Sequence, residues 1–158
     1  MSLLTNVQTA RRMGFTVIEL LAVMTIVGVA SALSLGKFSS IVARQRVNKA
    51  AYAISNDVQL AFAMAGRNRR PVRVVWDSTS LQLTITNRAQ DTVFRRTGLG
   101  TGAGFNLNRA DITVYPPANK PLEIFPNGLA TDTMSITLTA NGAKKRVWVS
   151  KAGLVDMR

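Results

Sequence analysis

Apolar residues dominate one continuous stretch near the start of the chain. Residues 15–35 read FTVIELLAVMTIVGVASALSL, and their only charge is Glu19. A helix of this length rises about 30 Å, the thickness of a bilayer core. Because Arg11 and Arg12 precede it, the pattern predicts a membrane-spanning helix with a short cytoplasmic N-terminus. A secretory signal peptide is the alternative, although its apolar part is usually shorter.

Beyond Gly36 the pattern becomes amphipathic. No proline occurs between Phe15 and Arg70, so we expect one helix to continue to about Ala65, with Gly66 as its C-terminal stop. Its apolar positions recur at alternating spacings of four and three residues. They are Val47, Ala51, Ile54, Val58, Ala61 and Ala65. This stripe predicts that residues 37–66 form a helix packed on a globular head.

From residue 67 to residue 158 the hydrophobic period changes to two, which predicts a β-rich head. About seven short antiparallel strands are expected, at residues 72–76, 81–86, 92–96, 112–115, 122–125, 134–139 and 144–149. The glycine-rich residues 98–104 lack the register of a dinucleotide-binding fingerprint and predict a mobile loop. The predicted fold class is α+β, a long N-terminal helix packed on a C-terminal antiparallel head.

The last two predicted strands flank Asn141 and Gly142, the strongest local signal for a hairpin. With this pair at the centre of the turn, one face of the hairpin is apolar and the other is basic. The apolar face carries Met134, Ile136, Leu138, Lys145, Val147 and Val149, and the basic face carries Ser135, Thr137, Thr139, Lys144, Arg146 and Trp148.

Composition limits the chemistry. The 158 residues include 20 Lys plus Arg against 8 Asp plus Glu, no His and no Cys, for a net charge of +12. Without these two residue types there is no imidazole or thiolate for nucleophilic catalysis, and no zinc, iron–sulfur or disulfide chemistry. Ser150 and Lys151 are neighbours in an extended run and point to opposite faces. We therefore predict no enzyme, no catalytic residues, no metal site and no cofactor.

Residues 11–21 read RRMGFTVIELL, a basic segment that ends in Gly and is followed by Phe-Thr-x-x-Glu-Leu. This resembles the class III signal of type IV pilins and type II secretion pseudopilins. The resemblance implies that residues 1–14 are a leader, which a prepilin peptidase removes between Gly14 and Phe15 before it N-methylates Phe15. It also implies that residues 15–36 form the transmembrane and filament-core helix. The protein would then lie in the bacterial inner membrane with a periplasmic head, and later in a pilus or pseudopilus with other subunits.

Glu19 needs an explanation, because an ionised carboxylate in hydrocarbon costs several kcal/mol without a partner. One interpretation places it near the helix N-terminus at the membrane edge, where the helix dipole favours a negative charge. The resemblance implies another, in which Glu19 pairs with the N-terminal amine of a neighbouring subunit during filament assembly.

The layout of the head is similar to that of the FimT/GspH branch of minor pilins and pseudopilins. Two short patterns add to the similarity, Phe125-Pro126-Asn127-Gly128 and the Val-Ser-x-x-Gly of residues 149–153. The resemblance implies a structural subunit at or near the tip of a type IV pilus or a type II secretion pseudopilus. Both systems use the same leader, so the sequence does not distinguish them.

Members of the FimT branch bind DNA, so the alternative is a DNA-binding minor pilin for natural transformation. Phosphate contacts would be independent of DNA sequence, and Trp148 or Arg146 could stack on single strands. The candidate residues are Arg67, Arg69, Arg70, Lys144, Arg146, Trp148, Lys151 and Arg158. DNA-binding relatives share a C-terminal Gly-Arg-x-Arg, where this chain has Gly153-Leu154-Val155-Asp156. Otherwise, the positive charge keeps the head soluble and matches acidic surfaces of neighbouring subunits.

Overall fold

The computed structural model describes residues 15–117 and 120–158, apart from the side chains of residues 33–37. The contacts within the chain divide it into two units, one ending at Lys37 and one from Phe38 to Arg158. The predicted leader, residues 1–14, lies outside the described residues. The described elements are α1 (Val17–Asn68), β1 (Val72–Asp77), β2 (Gln82–Asn87), β3 (Val93–Gly98), β4 (Ile112–Tyr115), β5 (Leu122–Ile124), β6 (Met134–Ala140), β7 (Ala143–Val149), β8 (Val155–Met157) and two short 3-10 helices, Thr101–Ala103 and Arg109–Asp111.

The part of α1 in the first unit exposes its apolar side chains. Every large apolar side chain from Phe15 to Val29 is more than half exposed. Among the residues that the structure describes, no helix is long and apolar enough to cross a membrane, so the membrane span predicted for residues 15–36 is not supported.

The part of α1 in the second unit buries the predicted stripe. All six predicted positions are buried, from Val47 to Ala65, together with Ala50 between them. The predicted end of the helix at Gly66 is wrong, because α1 continues to Asn68 and Arg69 takes the left-handed conformation with φ 51°. Pro71 disfavours helical geometry at the residue before it, so the helix ends without using the glycine.

Eight strands form two four-stranded antiparallel sheets in the described part of the head. The first sheet has the order β3-β2-β1-β5 and the second has the order β4-β6-β7-β8. Alternate residues of each sheet, such as Val74 and Ile85 in the first and Ile136 and Val147 in the second, share one core with the stripe of α1. The predicted α+β fold is therefore confirmed.

The β6–β7 hairpin has the predicted register. Asn141 and Gly142 both have positive φ, 48° and 81°, as a two-residue type I′ turn requires. Across the ladder, Ile136 faces Val147 and Leu138 faces Lys145. The turn therefore decides which side chains of β6 and β7 enter the core.

The prediction of seven strands missed β8, the C-terminal strand. It pairs with β7 after a turn in which Ser150 N–H donates to the carbonyl of Leu154 and Gly153 N–H donates to that of Ser150. Three residues are too few to show a period of two, so only the pairing with β7 reveals the strand.

The two short patterns that end in glycine, residues 125–128 and 149–153, lie close together in the head. Gly128 and Gly153 have φ of 79° and 80°, a conformation that favours glycine. Ala130 N–H, just after the first motif, donates to the carbonyl of Lys151 in the second at 2.7 Å. A Cβ on Gly153 would lie 3.1 Å from the ring of Phe62, so the second motif also lets the turn pack on α1.

The glycine-rich segment contains a short element of regular structure, and its predicted mobility stays a prediction. Leu99, near its start, is fully buried and accepts a hydrogen bond from Leu107 N–H through its carbonyl. A 3-10 turn forms at Thr101–Ala103. Apolar anchors thus hold both ends of a segment whose glycines alone suggested mobility.

Candidate functional site

The first candidate site is the start of α1, where the Phe-Thr-x-x-Glu pattern builds a helix cap. Thr16 immediately precedes the helix, and its Oγ1 accepts from Glu19 N–H at 3.3 Å. In return, Glu19 Oε2 accepts from Thr16 N–H at 3.0 Å and from the Thr16 hydroxyl at 3.1 Å. This reciprocal pair is a capping box, which satisfies amide donors left free at a helix start.

The cap leaves the Glu19 carboxylate able to accept another donor. Both bonds from Thr16 go to Oε2, and a carboxylate accepts through two oxygens. Glu19 lies in the first turn of α1, where the helix dipole favours a negative charge. Phe15, the residue before the cap, is 81% exposed. Gly14 lies outside the described residues.

Behind the cap, the surface of residues 15–32 is apolar on every face of the helix. Such a surface is unfavourable in water, because the transfer of apolar groups from water into an apolar environment lowers the free energy. The chain's own described contacts do not cover these side chains. The helix therefore fits burial in an apolar environment supplied from outside the chain.

The predicted basic residues fall into separate groups. Arg67 lies in the last turn of α1, and Arg69 and Arg70 follow it before β1. Arg70 lines a cleft of about 480 Å³ at the end of the first sheet, together with Phe94 and Asn87. These three arginines thus lie beside the first sheet.

Three other predicted residues lie on the outer face of the second sheet, the face opposite the core. Lys144, Arg146 and Trp148 alternate with core-facing residues of β7. The register places Trp148 beside Ser135, which in turn pairs with Tyr115 of β4. Tyr115 is 60% exposed and Trp148 is 37% exposed. Sequence reasoning missed Tyr115 because only the strand order brings it into this row.

Carboxylates neutralise part of the predicted basic set. Arg158 Nε lies 2.7 Å from Asp156 Oδ2, and Asp156 pairs with Trp148 across the ladder. Lys151 lies in the turn after β7, and its Nζ is 4.0 Å from Asp132 Oδ1. The outer face therefore keeps Lys144 and Arg146 as its cations, while Arg158 shares its charge with an acid.

The sequence analysis also missed an ion pair that ties α1 to the first sheet. Asp57 is only 3% exposed, and its Oδ1 lies 3.1 Å from Arg95 Nε on β3. A buried carboxylate needs such a partner. The only sequence signal was one acidic residue beside the buried stripe. Among the described residues, no three acidic side chains cluster as metal ligands would.

No protein-family model matches the sequence, and no curated protein sequence matches it either. Solved structures do match. The type IV minor pilin FimU of Pseudomonas aeruginosa is similar with a TM-score of 0.56 and 20% identity, over 73% of this chain and 90% of FimU. The minor pseudopilin EpsH from the type 2 secretion system of Vibrio cholerae has a TM-score of 0.56 and 16% identity, over 72% and 96%. The chain therefore has the minor pilin and pseudopilin fold.

Proposed function

We propose that this protein is a minor pilin or pseudopilin, a structural subunit at or near the tip of a type IV pilus or a type II secretion pseudopilus. One observation carries the proposal. A helix with exposed apolar side chains on every face continues into a head that has the fold of FimU and EpsH. Such a helix gains free energy when neighbouring subunits cover it, about 25 cal/mol per Å² of apolar surface.

The start of α1 supports a specific processing step. We place the leader at residues 1–14, removed by a prepilin peptidase between Gly14 and Phe15, with N-methylation of Phe15. Cleavage there would leave a new amine one residue before the Thr16 cap. Glycine leaves the backbone at the scissile bond unobstructed by a side chain.

The same geometry supports a role for Glu19 in assembly. Its carboxylate caps its own helix through Oε2, so Oε1 is left to accept from the N-terminal amine of the next subunit. A carboxylate buried among apolar helices is stable only with a cation. The pair would therefore form as subunits pack and would set their axial register.

Mass spectrometry of the protein produced in cells that have prepilin peptidase tests this proposal. We expect the mature chain to begin at N-methylated Phe15 and to be recovered in the sheared filament fraction. Gly14→Val should leave the chain unprocessed, whereas the matched variant Met13→Val should be processed normally. An identical mature N-terminus in the Gly14→Val protein would reject the leader assignment.

A second candidate function is DNA binding during natural transformation. The observation that favours it is the outer face of the second sheet, where Trp148 and Tyr115 lie in one row and Arg146 and Lys144 lie beside it. Exposed aromatic side chains with cations beside them suit single-stranded nucleic acid.

Gel retardation with random single-stranded DNA tests this second function. We expect log K to fall by about 0.7 per phosphate neutralised as log salt rises. Trp148→Ala should weaken binding, and Leu154→Ala, another exposed apolar residue of the same sheet region, should not. Absence of retardation at low salt would reject DNA binding.

A further inference from the structure

The tip of the β6–β7 hairpin lies against α1 and forms a cleft with it, called here the tip cleft. Its volume is about 290 Å³, and it is lined by Arg44, Val47 and Asn48 of the helix and by residues 142–145 of the hairpin. All of these residues belong to the second unit of the chain. The tip cleft is therefore formed within the head itself.

Lys145 reaches the tip cleft from an unusual position. It lies on the core-facing side of β7, opposite Leu138, and Val147 two residues later on the same side is buried. A lysine at a core-facing position keeps its ammonium out of the core, because an unpaired buried charge is costly. Lys145 lies close to the turn of the hairpin, and it lines the cleft together with Arg44 of α1.

No carboxylate of the chain offsets these charges. All eight acidic residues lie in the described part of the chain, and none lines the tip cleft. Each of them has another role. For example, hydrogen bonds from Ser80 and Thr79 lower the pKa of the Asp77 carboxyl, so Asp77 stays ionised in its own turn. The roles are a helix cap for Glu19, ion pairs for Asp57, Glu123, Asp132 and Asp156, turns for Asp77 and Asp91, and a 3-10 capping box for Asp111.

A neighbouring cleft in the same head is lined by an acid as well as a base. It also borders the hairpin tip, at Ala140 and Asn141, and has a volume of about 450 Å³. Its lining includes Arg46 but also Asp111. The tip cleft instead is lined by Arg44 and Lys145 and by no acid.

We propose that the tip cleft binds one phosphate group, either as inorganic phosphate or as the phosphate ester of a lipid headgroup. Arg44 can hold two phosphate oxygens with its guanidinium, and Lys145 supplies a point charge. The side-chain amide of Asn48 adds a neutral donor. Bound phosphate relieves the repulsion between Arg44 and Lys145, and this relief is the source of the affinity. The site does not depend on assembly of the protein into a filament.

Nuclear magnetic resonance on the full chain in non-ionic detergent micelles tests the site. Inorganic phosphate is titrated against chloride at equal ionic strength, and the amides of Gly142 and Ala143 are followed. We expect a saturable shift of both amides with phosphate, and about tenfold weaker binding in Lys145→Gln, since a charge-assisted hydrogen bond is lost. Arg96→Gln is the matched control, because it removes one charge from an exposed arginine of β3 that does not line the tip cleft. It should bind phosphate like the original chain.

A second arm identifies the source of the phosphate. The chain is placed in bicelles of phosphatidylcholine with or without phosphatidylglycerol. A shift of Gly142 that requires phosphatidylglycerol and Lys145 supports a lipid headgroup, and a shift with inorganic phosphate alone supports the free ion. The site is rejected if neither probe shifts these amides, or if Lys145→Gln and Arg96→Gln weaken binding equally.

Discussion

Two parts of α1 have the same secondary structure and opposite surroundings. From Phe15 to Val29 every large apolar side chain is more than half exposed, whereas in the second unit Val47, Ile54 and Val58 are almost completely buried. The second part takes its stability from the two sheets that share its core. The first part receives no such contribution from the described chain. Helical structure therefore does not reveal where a helix obtains its stability.

The difference follows from the arrangement of apolar residues. A stripe on one side can be covered by a head from the same chain, because the opposite side stays polar and faces water. A helix with apolar residues on all sides is stable only when other groups bury it on every side. The first part of α1 accordingly has the surface of a helix from a protein interior. We propose that neighbouring subunits cover it in the core of the filament.

The largest expected effect is the loss of filament assembly on substitution of Glu19, which tests the first part of α1 without changing the second. Glu19→Ala should abolish incorporation into filaments and leave the unfolding midpoint of the head unchanged, because the residue lies in the first part only. Recovery in the sheared filament fraction measures incorporation. Thr16→Ala removes the cap partner but keeps the carboxylate, so it should assemble substantially better. Equal loss in both variants would show that Glu19 acts only as a helix cap.

The next effect compares the same side-chain change in both parts. Ile54→Ala should destabilise the head by about 2–5 kcal/mol, the usual cost of truncating a fully buried isoleucine. Ile26→Ala should leave head stability unchanged, since its side chain is exposed in the single chain. Urea unfolding followed by circular dichroism in detergent measures both. A similar loss from Ile26→Ala would mean that both parts share one source of stability.

A smaller effect tests the ion pair that ties the second part of α1 to the first sheet. Arg95→Gln should cost about 1–2 kcal/mol, because Asp57 stays buried while its partner is lost. The cost is below that of a fully buried pair, since the Arg95 side chain is 56% exposed. Arg96→Gln, the next residue of β3, is the control in the same unfolding experiment. If both variants unfold alike, the pair adds nothing to helix attachment.

An effect of similar size probes the contact between α1 and the turn before β8. Gly153→Ala should cost about 1–2 kcal/mol, because φ is 80° and the new Cβ would lie 3.1 Å from the Phe62 ring. Gly102→Ala has open space around the added methyl group and should be nearly neutral. Thermal unfolding measures both. Equal midpoints in the two variants would show that the Phe62 ring moves aside and that the turn tolerates a side chain.

Much of the head was predictable because its signals are local. The buried stripe follows from the helical period, and the register of β6 and β7 follows from Asn141 and Gly142. Outside the head, the capping box of Thr16 and Glu19 was not predicted, although it too joins residues only three apart. In each case, residues close together in sequence decide the geometry.

Tertiary structure alone decided the features that depend on distant residues. It added β8 as a partner of β7, and placed Arg95 beside Asp57, 38 residues away. It also separated the basic residues that composition had grouped together, and brought Arg44 to the same cleft as Lys145. A sequence period records which face of an element is buried. Which charges meet depends on how the elements pack, and no local pattern encodes that.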